Sequence, residues 1–385
     1  MKKVVSLVLA AAMSAAILTG CGGSASSTAT SADGKAEFII GSMGPLTGPA
    51  ASYGLAVKQG AEVAINEINA AGGVTVGETA YNFKLAFEDD EATEDKAIQA
   101  YNTVMDQGAN VILGAVTSGS CLAIGDLTAK DNILQLTPSG SAPDCIKNAN
   151  GFRICFSDPE QGAAMADYAY NTLGYRSLAV IYNNSDDYSS GLAAVFEEEY
   201  KALGGTVTAS ESFTKGDVDF NTQLSKIKST SPEALYIPAY YQDISYIATQ
   251  ARDMGMDIEL IGSDGWDGIL ATIPDPADVE GVVFSAPFCA SVDDPDVVSF
   301  VEAYKAAYEG AVPDQFAADA YDGVYAIKAA LETAGSTDNQ ALIDAMTQIT
   351  VKGLTGSSIT FDESGAPTKD VRYVKITNGQ YGYAE

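Results

Sequence analysis

The stretch "VILGAVTSGSCLAI", residues 111–124, joins two kinds of secondary structure. Its first residues form an apolar, β-branched run, which predicts a buried strand, and its last residues have apolar side chains at helical spacing. Between them lie Thr117, Ser118, Gly119 and Ser120, with no basic residue nearby. The stretch therefore predicts a strand-to-helix corner that is polar but carries no charged side chain.

The same alternation of short strands and longer helices continues on both sides of this corner. The strand candidates, in chain order, are "EFIIGSM", "NFKLAFEDD", "VILGAV", "ILQLTP", "SLAVIYN", "TVTASESF", "ALYIPAY", "IELIGSDG" and "GVVFSAP". Most are followed by a segment with helical periodicity, such as "GLAVKQGAEVAINEINAAGG". This order predicts an α/β protein with mainly parallel sheets flanked by helices, and its repetition predicts two similar lobes.

The last hundred residues break this alternation. Three helical segments follow one another, "DPDVVSFVEAYKAAYEG", "QFAADAYDGVYAIKAALETAG" and "NQALIDAMTQI", and "SITFDESGAPTKDVRYVKIT" then predicts strands. We expect the helices to return to the first lobe and the strands to complete the second. The predicted lobes are therefore discontinuous, with residues 36–157 and 288–362 in one and residues 158–287 and 363–385 in the other.

Composition excludes several classes of function. The formal net charge of −30 would repel phosphate backbones, which argues against a nucleic-acid partner. The chain contains no histidine, which removes Ser/His/Asp and Cys/His catalysis and the commonest metal ligand. With 46% hydrophobic residues in 385, the chain can bury substantial cores. We expect no cofactor and no metal, and a monomer.

The N-terminus predicts export and anchoring. Residues 1–20 begin with "MKK" and continue with an apolar run too short to span a bilayer, which is typical of a secretory signal. The signal ends in "LTGC", which resembles the bacterial lipobox and implies cleavage before Cys21 and lipidation of its sulfur. Residues 21–35 then predict a flexible tether. The expected location is the outer face of the cytoplasmic membrane, held by lipid alone.

Four cysteines remain in the folded body: Cys121, Cys145, Cys155 and Cys289. An exported chain permits disulfides, and four cysteines allow three complete pairings. We favour a bond from Cys145 to Cys121 or Cys155, and the alternative is that one or more are buried free thiols.

The polar corners after the strands predict a ligand site, because open α/β sheets bind ligands beyond the carboxyl ends of their strands. Amide groups at the helix start near Ser118 and Gly119 can hold a carboxylate without a basic residue. Asp264, in "GSDGWDG", can pair with an ammonium group, and Ser139 and Ser141 add carbonyls and hydroxyls. Each residue alone has a structural explanation as a helix cap, and only their combination indicates an amino acid.

These motifs carry a family resemblance. The segments "IIGSMGPLTGPAASYGLAVKQGAEVAINEINAAGGV", "EDDEATEDKAIQA", "LTPSGSAP", "FRICFSDPEQG" and "YNNSDDYSSGLA" resemble the branched-chain amino acid binding proteins of bacterial ABC importers. The similarity runs in order from about residue 37 to residue 380. It implies the type I periplasmic-binding fold, whose two lobes are joined by three crossover strands and close on a ligand without making or breaking a bond. It also implies a membrane permease as partner.

The resemblance also implies roles for individual residues. Ser118 would bind the ligand carboxylate at the helix start, Ser139 would contribute its main-chain carbonyl, and Ser141 its hydroxyl. Asp264 stands where the leucine-binding members have glutamate, and would meet the ammonium. The aromatic wall positions match Tyr53, Tyr188, Phe316 and one of the neighbouring tyrosines Tyr240 and Tyr241, while Trp266 would reshape the side-chain pocket.

We therefore expect an amino-acid binding protein with a preference for apolar or aliphatic side chains. The alternatives are a sensory component that presents its ligand to a receptor and a binder of another small amide or carboxylate. Two further alternatives are a hydrolase that uses Asp264 with Asp186, Asp187 or Asp267, and an adhesin or purely structural lipoprotein. Hinges are expected near residues 157–159, 286–288 and 362–365.

Overall fold

Two separate β-sheets organise the chain in the computed structural model, which describes residues 34–384. The predicted signal segment, the lipidation site Cys21 and most of the tether lie outside the described residues. The first sheet contains β1 (Ala36–Gly44), β2 (Val74–Val76), β3 (Thr79–Asp89), β4 (Val111–Gly114), β5 (Gln135–Thr137) and β6 (Gly151–Arg153). The second contains β7 (Ser177–Asn183), β8 (Thr206–Phe213), β9 (Ala234–Ile237), β10 (Glu259–Gly262), β11 (Val283–Ser285), β12 (Tyr373–Thr377) and β13 (Gln380–Tyr383).

Ten α-helices cover these sheets within the described residues. They are α1 (Ala51–Ala70), α2 (Glu94–Asp106), α3 (Ser118–Lys130), α4 (Asp158–Asp167), α5 (Asp187–Ala202), α6 (Asn221–Thr230), α7 (Tyr241–Asp253), α8 (Pro295–Ala307), α9 (Gln315–Ala334) and α10 (Asn339–Met346). Helix α9 packs against α1, and α4 packs against α5. We call the part built on the first sheet lobe 1 and the part built on the second lobe 2.

The strand order in each sheet confirms the predicted α/β class. The first sheet has the order β2-β3-β1-β4-β5-β6, and all of its pairs are parallel except β2 with β3. The second has the order β13-β12-β11-β10-β9-β7-β8, with parallel pairing from β11 through β8. Parallel strands place their carboxyl ends along one edge, so the corners that follow them gather at that edge of each sheet.

The C-terminal segment differs from its prediction. Most of "SITFDESGAPTKDVRYVKIT" forms only two isolated bridges, Val351 with Ile359 and Phe361 with Pro367, and the one strand within it is β12. The antiparallel strand β13 was not predicted. The turn between β12 and β13 is Asn378-Gly379, and both residues have positive φ angles, 52° and 66°. An Asn-Gly pair between short β-type runs is a strong hairpin signal, so the sequence did contain the information.

The chain passes between the sheets three times, after β6, after β11 and before β12. The first passage leads into α4 through a capping box between Ser157 and Glu160. The last contains Lys369, whose Nζ lies 3.0 Å from Asp319 Oδ1 in α9 and donates to Thr355 Oγ1. Both members of this ion pair are buried, which ties the passage firmly to lobe 1. The exact lobe boundaries and hinge residues stay predictions.

All four cysteines of the described body are buried free thiols, so the favoured disulfide at Cys145 is not formed. Cys121 and Cys145 nevertheless share one packed cluster, and Cys145 Sγ lies 3.8 Å from Ser118 O. Within residues 34–384, no helix combines the length and apolar character that crossing a bilayer requires.

Candidate ligand-binding cleft

One small cavity lies between the corners of the two lobes. It is lined by Tyr53, Val116, Thr117, Ser118, Ser139, Tyr188, Tyr240, Asp264, Gly265 and Phe316. Its volume is about 10 Å³, close to the minimum that one water molecule requires. The two lobes therefore lie tightly against each other in this structure.

The lobe 1 face of the cavity is made from two corners. Helix α3 begins at Ser118, and the preceding Thr117 makes no side-chain capping hydrogen bond, so the cap leaves the first amides of the helix available. Ser139 Oγ donates to Val116 O at 2.7 Å, and Ala142 N donates to Ser118 Oγ at 3.2 Å. These hydroxyls join the corner after β4 to the corner after β5, so they fix the position of the helix start.

The lobe 2 face is centred on Asp264, which is only 5% exposed. This residue opens a short 3-10 turn directly after β10 and Ser263. Tyr188, in the first turn of α5, donates its hydroxyl proton to Asp264 Oδ1 at 2.6 Å, and Gly265 N donates to the same hydroxyl oxygen at 2.9 Å. One tyrosine thus fixes both the carboxylate and the backbone of the turn.

Gly265 occupies a position that no side chain could share. A Cβ atom there would lie 2.4 Å from Ala239 O and 2.8 Å from the Tyr188 hydroxyl. The carbonyl oxygen of Gly265 accepts a hydrogen bond of 2.6 Å from the hydroxyl of Tyr53, a residue of lobe 1. Tyr241 N in turn donates to the Tyr53 hydroxyl at 2.8 Å. Tyr53 therefore bridges the two lobes across the cavity.

Aromatic rings form the remaining walls. The rings of Tyr188 and Tyr240 stack at a centroid distance of 5.0 Å with an interplanar angle of 8°. The ring centroid of Tyr53 lies 4.3 Å from that of Phe316, which is in the first turn of α9. Such walls suit an apolar side chain, and their hydroxyl groups are held by protein partners at Tyr53 and Tyr188.

Burial dominates the electrostatics of the site. It raises the pKa of Asp264 to about 6, against hydrogen bonds from Tyr188, Gln161 and the Gly265 amide that lower it. Burial also raises the pKa of Asp267 to about 6, and the pKa values of Tyr53 and Tyr188 lie well above their usual range for the same reason. A ligand ammonium beside Asp264 would favour its ionised form and so lower its pKa.

The structure brings together seven of the predicted site residues: Tyr53, Ser118, Ser139, Tyr188, Tyr240, Asp264 and Phe316. Gly119, Ser141, Tyr241 and Trp266 are not part of the cavity lining. Ser141 is fully buried beside Asp158, whose pKa burial raises well above its usual range, against the lowering effect of the Ser141 hydroxyl. Tyr241 lines a separate surface pocket. The binding role of every one of these residues stays a prediction.

Trp266 faces the interior of lobe 2. Its indole N–H donates to Ile237 O at 2.8 Å, and a Cβ on Gly262 would lie 1.8 Å from Trp266 Nε1. The 3-10 turn that presents Asp264 to the cavity thus turns the indole back over the ends of β9 and β10. This position gives Trp266 a packing role under the corner rather than a place in the pocket wall.

Several buried polar residues around the cavity were missed or undervalued by sequence reasoning. Gln315 Nε2 donates to Asp264 O at 2.7 Å, and Gln315 N donates to Asp267 Oδ2 at 2.9 Å, so both contacts join α9 of lobe 1 to lobe 2. Gln161 accepts a hydrogen bond from Asp264 N at 3.3 Å. The one available signal was polar residues at helix starts in "DPEQG" and "DQFAAD". Among residues 34–384, no group of three or more His, Cys, Asp or Glu side chains is placed to hold a metal ion.

Two α/β lobes with a polar, aromatic cavity between their strand ends define a two-lobed solute-binding protein. Comparison with known proteins agrees. The family model described as "Periplasmic binding protein" matches residues 37–380, and the chain belongs to this family.

Three relatives show where in the family the similarity is strong. A Leu/Ile/Val-binding protein homolog from Brucella melitensis is 32% identical over 80% of this chain and 82% of its own length. A leucine binding protein from Thermotoga maritima superposes with a TM-score of 0.82 at 30% identity, covering 90% of this chain and 98% of that one. A branched-chain amino acid transporter substrate binding protein from Streptococcus pneumoniae, solved with isoleucine, gives a TM-score of 0.83 at 28% identity, covering 90% and 99%.

Proposed function

We propose that this protein is the extracytoplasmic solute-binding component of an amino-acid ABC importer, and that it captures an α-amino acid with an apolar, preferably aliphatic, side chain. The observation that carries the proposal is the pairing of opposite chemistries across one cavity. The uncapped start of α3 lies on one face and the Asp264 carboxylate on the other. The branched-chain amino acid relatives support the same class of ligand.

The geometry assigns an end of the ligand to each lobe. Amides at the start of α3, with the Ser118 hydroxyl, would take the carboxylate. Asp264, held by Tyr188, would take the ammonium. The side chain would lie among Tyr53, Tyr240 and Phe316. Because a cavity of about 10 Å³ has room for no more than one water molecule, the ligand must both enter and be held in an arrangement in which the lobes lie farther apart than in this structure.

Closure then follows from the split site. A ligand bound to one lobe makes only half of its contacts, so the closed arrangement is the one that ligand stabilises. The closed form would be delivered to a membrane permease, and the family function involves no bond making or breaking. We further propose a monomer that is lipidated at Cys21 after cleavage of residues 1–20. Cys21→Ala should release the protein from membranes into the soluble fraction.

Calorimetric titration of the purified protein tests the ligand assignment. L-Leucine and other aliphatic amino acids should bind. Two leucine analogues, 4-methylpentanoate without the ammonium and 3-methylbutylamine without the carboxylate, should each bind at least about 100-fold more weakly, because each leaves one buried partner unpaired. Equal binding of 4-methylpentanoate and leucine would contradict the role of Asp264. Failure of every amino acid to bind would contradict the proposed function itself.

A further inference from the structure

Gln161 is a fully buried amide that lies outside the cavity lining and hydrogen-bonds to Asp264, which is part of that lining. It lies in the first turns of α4 and is 0% exposed. Its Oε1 accepts from Asp264 N at 3.3 Å and from Ser285 Oγ at 3.0 Å, while its Nε2 donates to Asp158 Oδ1 at 3.3 Å. Because two donors face the oxygen of the amide and a carboxylate faces its nitrogen, the amide can satisfy all three partners in one orientation only.

The three partners belong to three different segments of lobe 2. Asp158 is the first residue of α4, directly after the first passage between the lobes. Ser285 is the last residue of β11, directly before the second passage. Asp264 opens the 3-10 turn after β10. A single side chain therefore links the carboxylate corner to two of the three connections between the lobes.

We propose that Gln161 is a positioning residue, which holds the Asp264 corner for the ligand ammonium and couples it to the two adjoining connections. The inference rests on the proposed function, because Asp264 is its point of action. The polar network is fully buried, so removing the amide would leave Asp264 N and the Ser285 hydroxyl without their acceptor.

A change in the pKa of Asp264 distinguishes a positioning role for Gln161 from a purely structural one, because a purely structural role would leave that pKa unchanged. Gln161 is one of the side chains that lower the pKa of Asp264 against the raising effect of burial. Other ionisable groups that interact with Asp264 are Tyr53 from α1, Asp158 and Cys155 beside the first passage, Tyr188 from α5, Tyr236 and Tyr240 near β9, Asp267 in its own corner and Asp319 from α9. Of these groups, only Asp158 has a side chain hydrogen-bonded to Gln161, so a change at Gln161 leaves the other interactions in place.

The test compares Gln161→Met with wild type by calorimetric titration of L-leucine between pH 5 and pH 8. We expect affinity at pH 7.5 to fall about tenfold, and the pH at which affinity is half lost to move upward. Gln135→Met is the matched control. Gln135 is an equally buried glutamine in lobe 1, bonded to Thr128 and Cys121, and its loss should leave the pH profile in place.

Gln161→Glu covers the case in which the methionine variant does not fold. It keeps the shape and the acceptor oxygen but adds a negative charge near Asp264 and Asp158, so the pH midpoint should also rise. A pH midpoint unchanged from wild type in either folded variant, while Asp264→Asn still weakens binding, would overturn the role of Gln161 and leave the proposed function standing. Wild-type binding by Asp264→Asn would instead overturn the proposed function at this site.

Discussion

The two faces of the cavity use different physical means to meet a ligand. The lobe 1 face consists of backbone amides at a helix start and hydroxyls that bond to their own lobe, as Ser139 does with Val116. The lobe 2 face places a carboxylate, Asp264, in a buried position, where it accepts a hydrogen bond from Tyr188 and its backbone N donates to Gln161. A neutral polar face costs less free energy to bury than a carboxylate, which costs much unless it is paired.

This difference predicts that ligand binding is more sensitive to pH and to substitutions on the lobe 2 face than on the lobe 1 face. Partial charges at a helix start do not titrate, so lobe 1 should bind the ligand carboxylate equally at any ordinary pH. The pKa of Asp264 is already raised to about 6 by burial, so the lobe 2 contact depends on both pH and an ammonium partner. We expect changes in lobe 2 to have larger effects than changes in lobe 1.

Replacing the carboxylate should give the largest effect. Asp264→Asn keeps the shape and an acceptor for Tyr188 but removes the charge that faces the ammonium. Loss of a charged hydrogen bond at a buried site costs about 2–3 kcal/mol, so leucine affinity at pH 7.5 should fall about 100-fold by calorimetry.

Asp267→Asn is the matched control for that change. Asp267 lies three residues later, is equally buried at 5% exposed and also has a pKa raised to about 6, but it is not part of the cavity lining. Its carboxylate accepts from Gln315 N instead. Its loss should weaken binding by less than about tenfold. Equal losses in the two variants would mean that the general negative field, not a direct contact, holds the ligand.

Acidification of the wild type should give the next largest effect. Binding the ammonium requires the ionised form of Asp264, and a pKa of about 6 means that about a tenth of the carboxyls are ionised at pH 5. Leucine affinity should therefore fall about tenfold between pH 7.5 and pH 5. In Asp264→Asn the residual affinity should be nearly independent of pH across this range, and a profile like that of wild type would assign the titration to another group.

A change in lobe 1 should have a smaller effect. Ser118→Ala removes a hydroxyl that accepts from Ala142 N but leaves the backbone amides of α3 in place. The expected cost is about 1 kcal/mol, or about fivefold in affinity, with no change in the pH midpoint. A loss as large as that of Asp264→Asn would reverse the ranking of the two faces.

The sequence was sufficient for the fold because strand and helix periodicities are local. The corner "VTSGS", for example, lies at the predicted junction of β4 and α3, although its last three residues already form the first turn of α3. The hairpin of β12 and β13 was missed although Asn378-Gly379 signals it, because the residues before it were assigned to longer strands.

The site was harder to predict because side-chain direction depends on tertiary packing. Asp264 and Trp266 are two residues apart in one turn, yet one reaches the cavity and the other packs against Gly262. Gln161 and Gln315 act through hydrogen bonds to segments more than 50 positions away in the chain, as in the contact of Gln161 with Asp264. No local pattern encodes such a partner.

The smallest expected effect is on the free energy of unfolding. Asp264→Asn, which should weaken binding, should make the ligand-free protein more stable. In the ligand-free protein the raised pKa of Asp264 means that the folded state binds a proton more tightly than the unfolded state, where an aspartate pKa is about 4. The stability linked to that proton is complete below pH 4 and is lost as pH rises through about 6.

At pH 7.5 wild type therefore carries an unfavourable buried charge that Asp264→Asn lacks. Urea unfolding without ligand should show the variant more stable by about 1 kcal/mol at pH 7.5, with the advantage shrinking at pH 5, where the wild-type carboxyl is mostly neutral. A variant that is less stable at both pH values would mean that the bond from Tyr188 offsets the cost of burial, and lobe 2 would then keep its charge without a penalty.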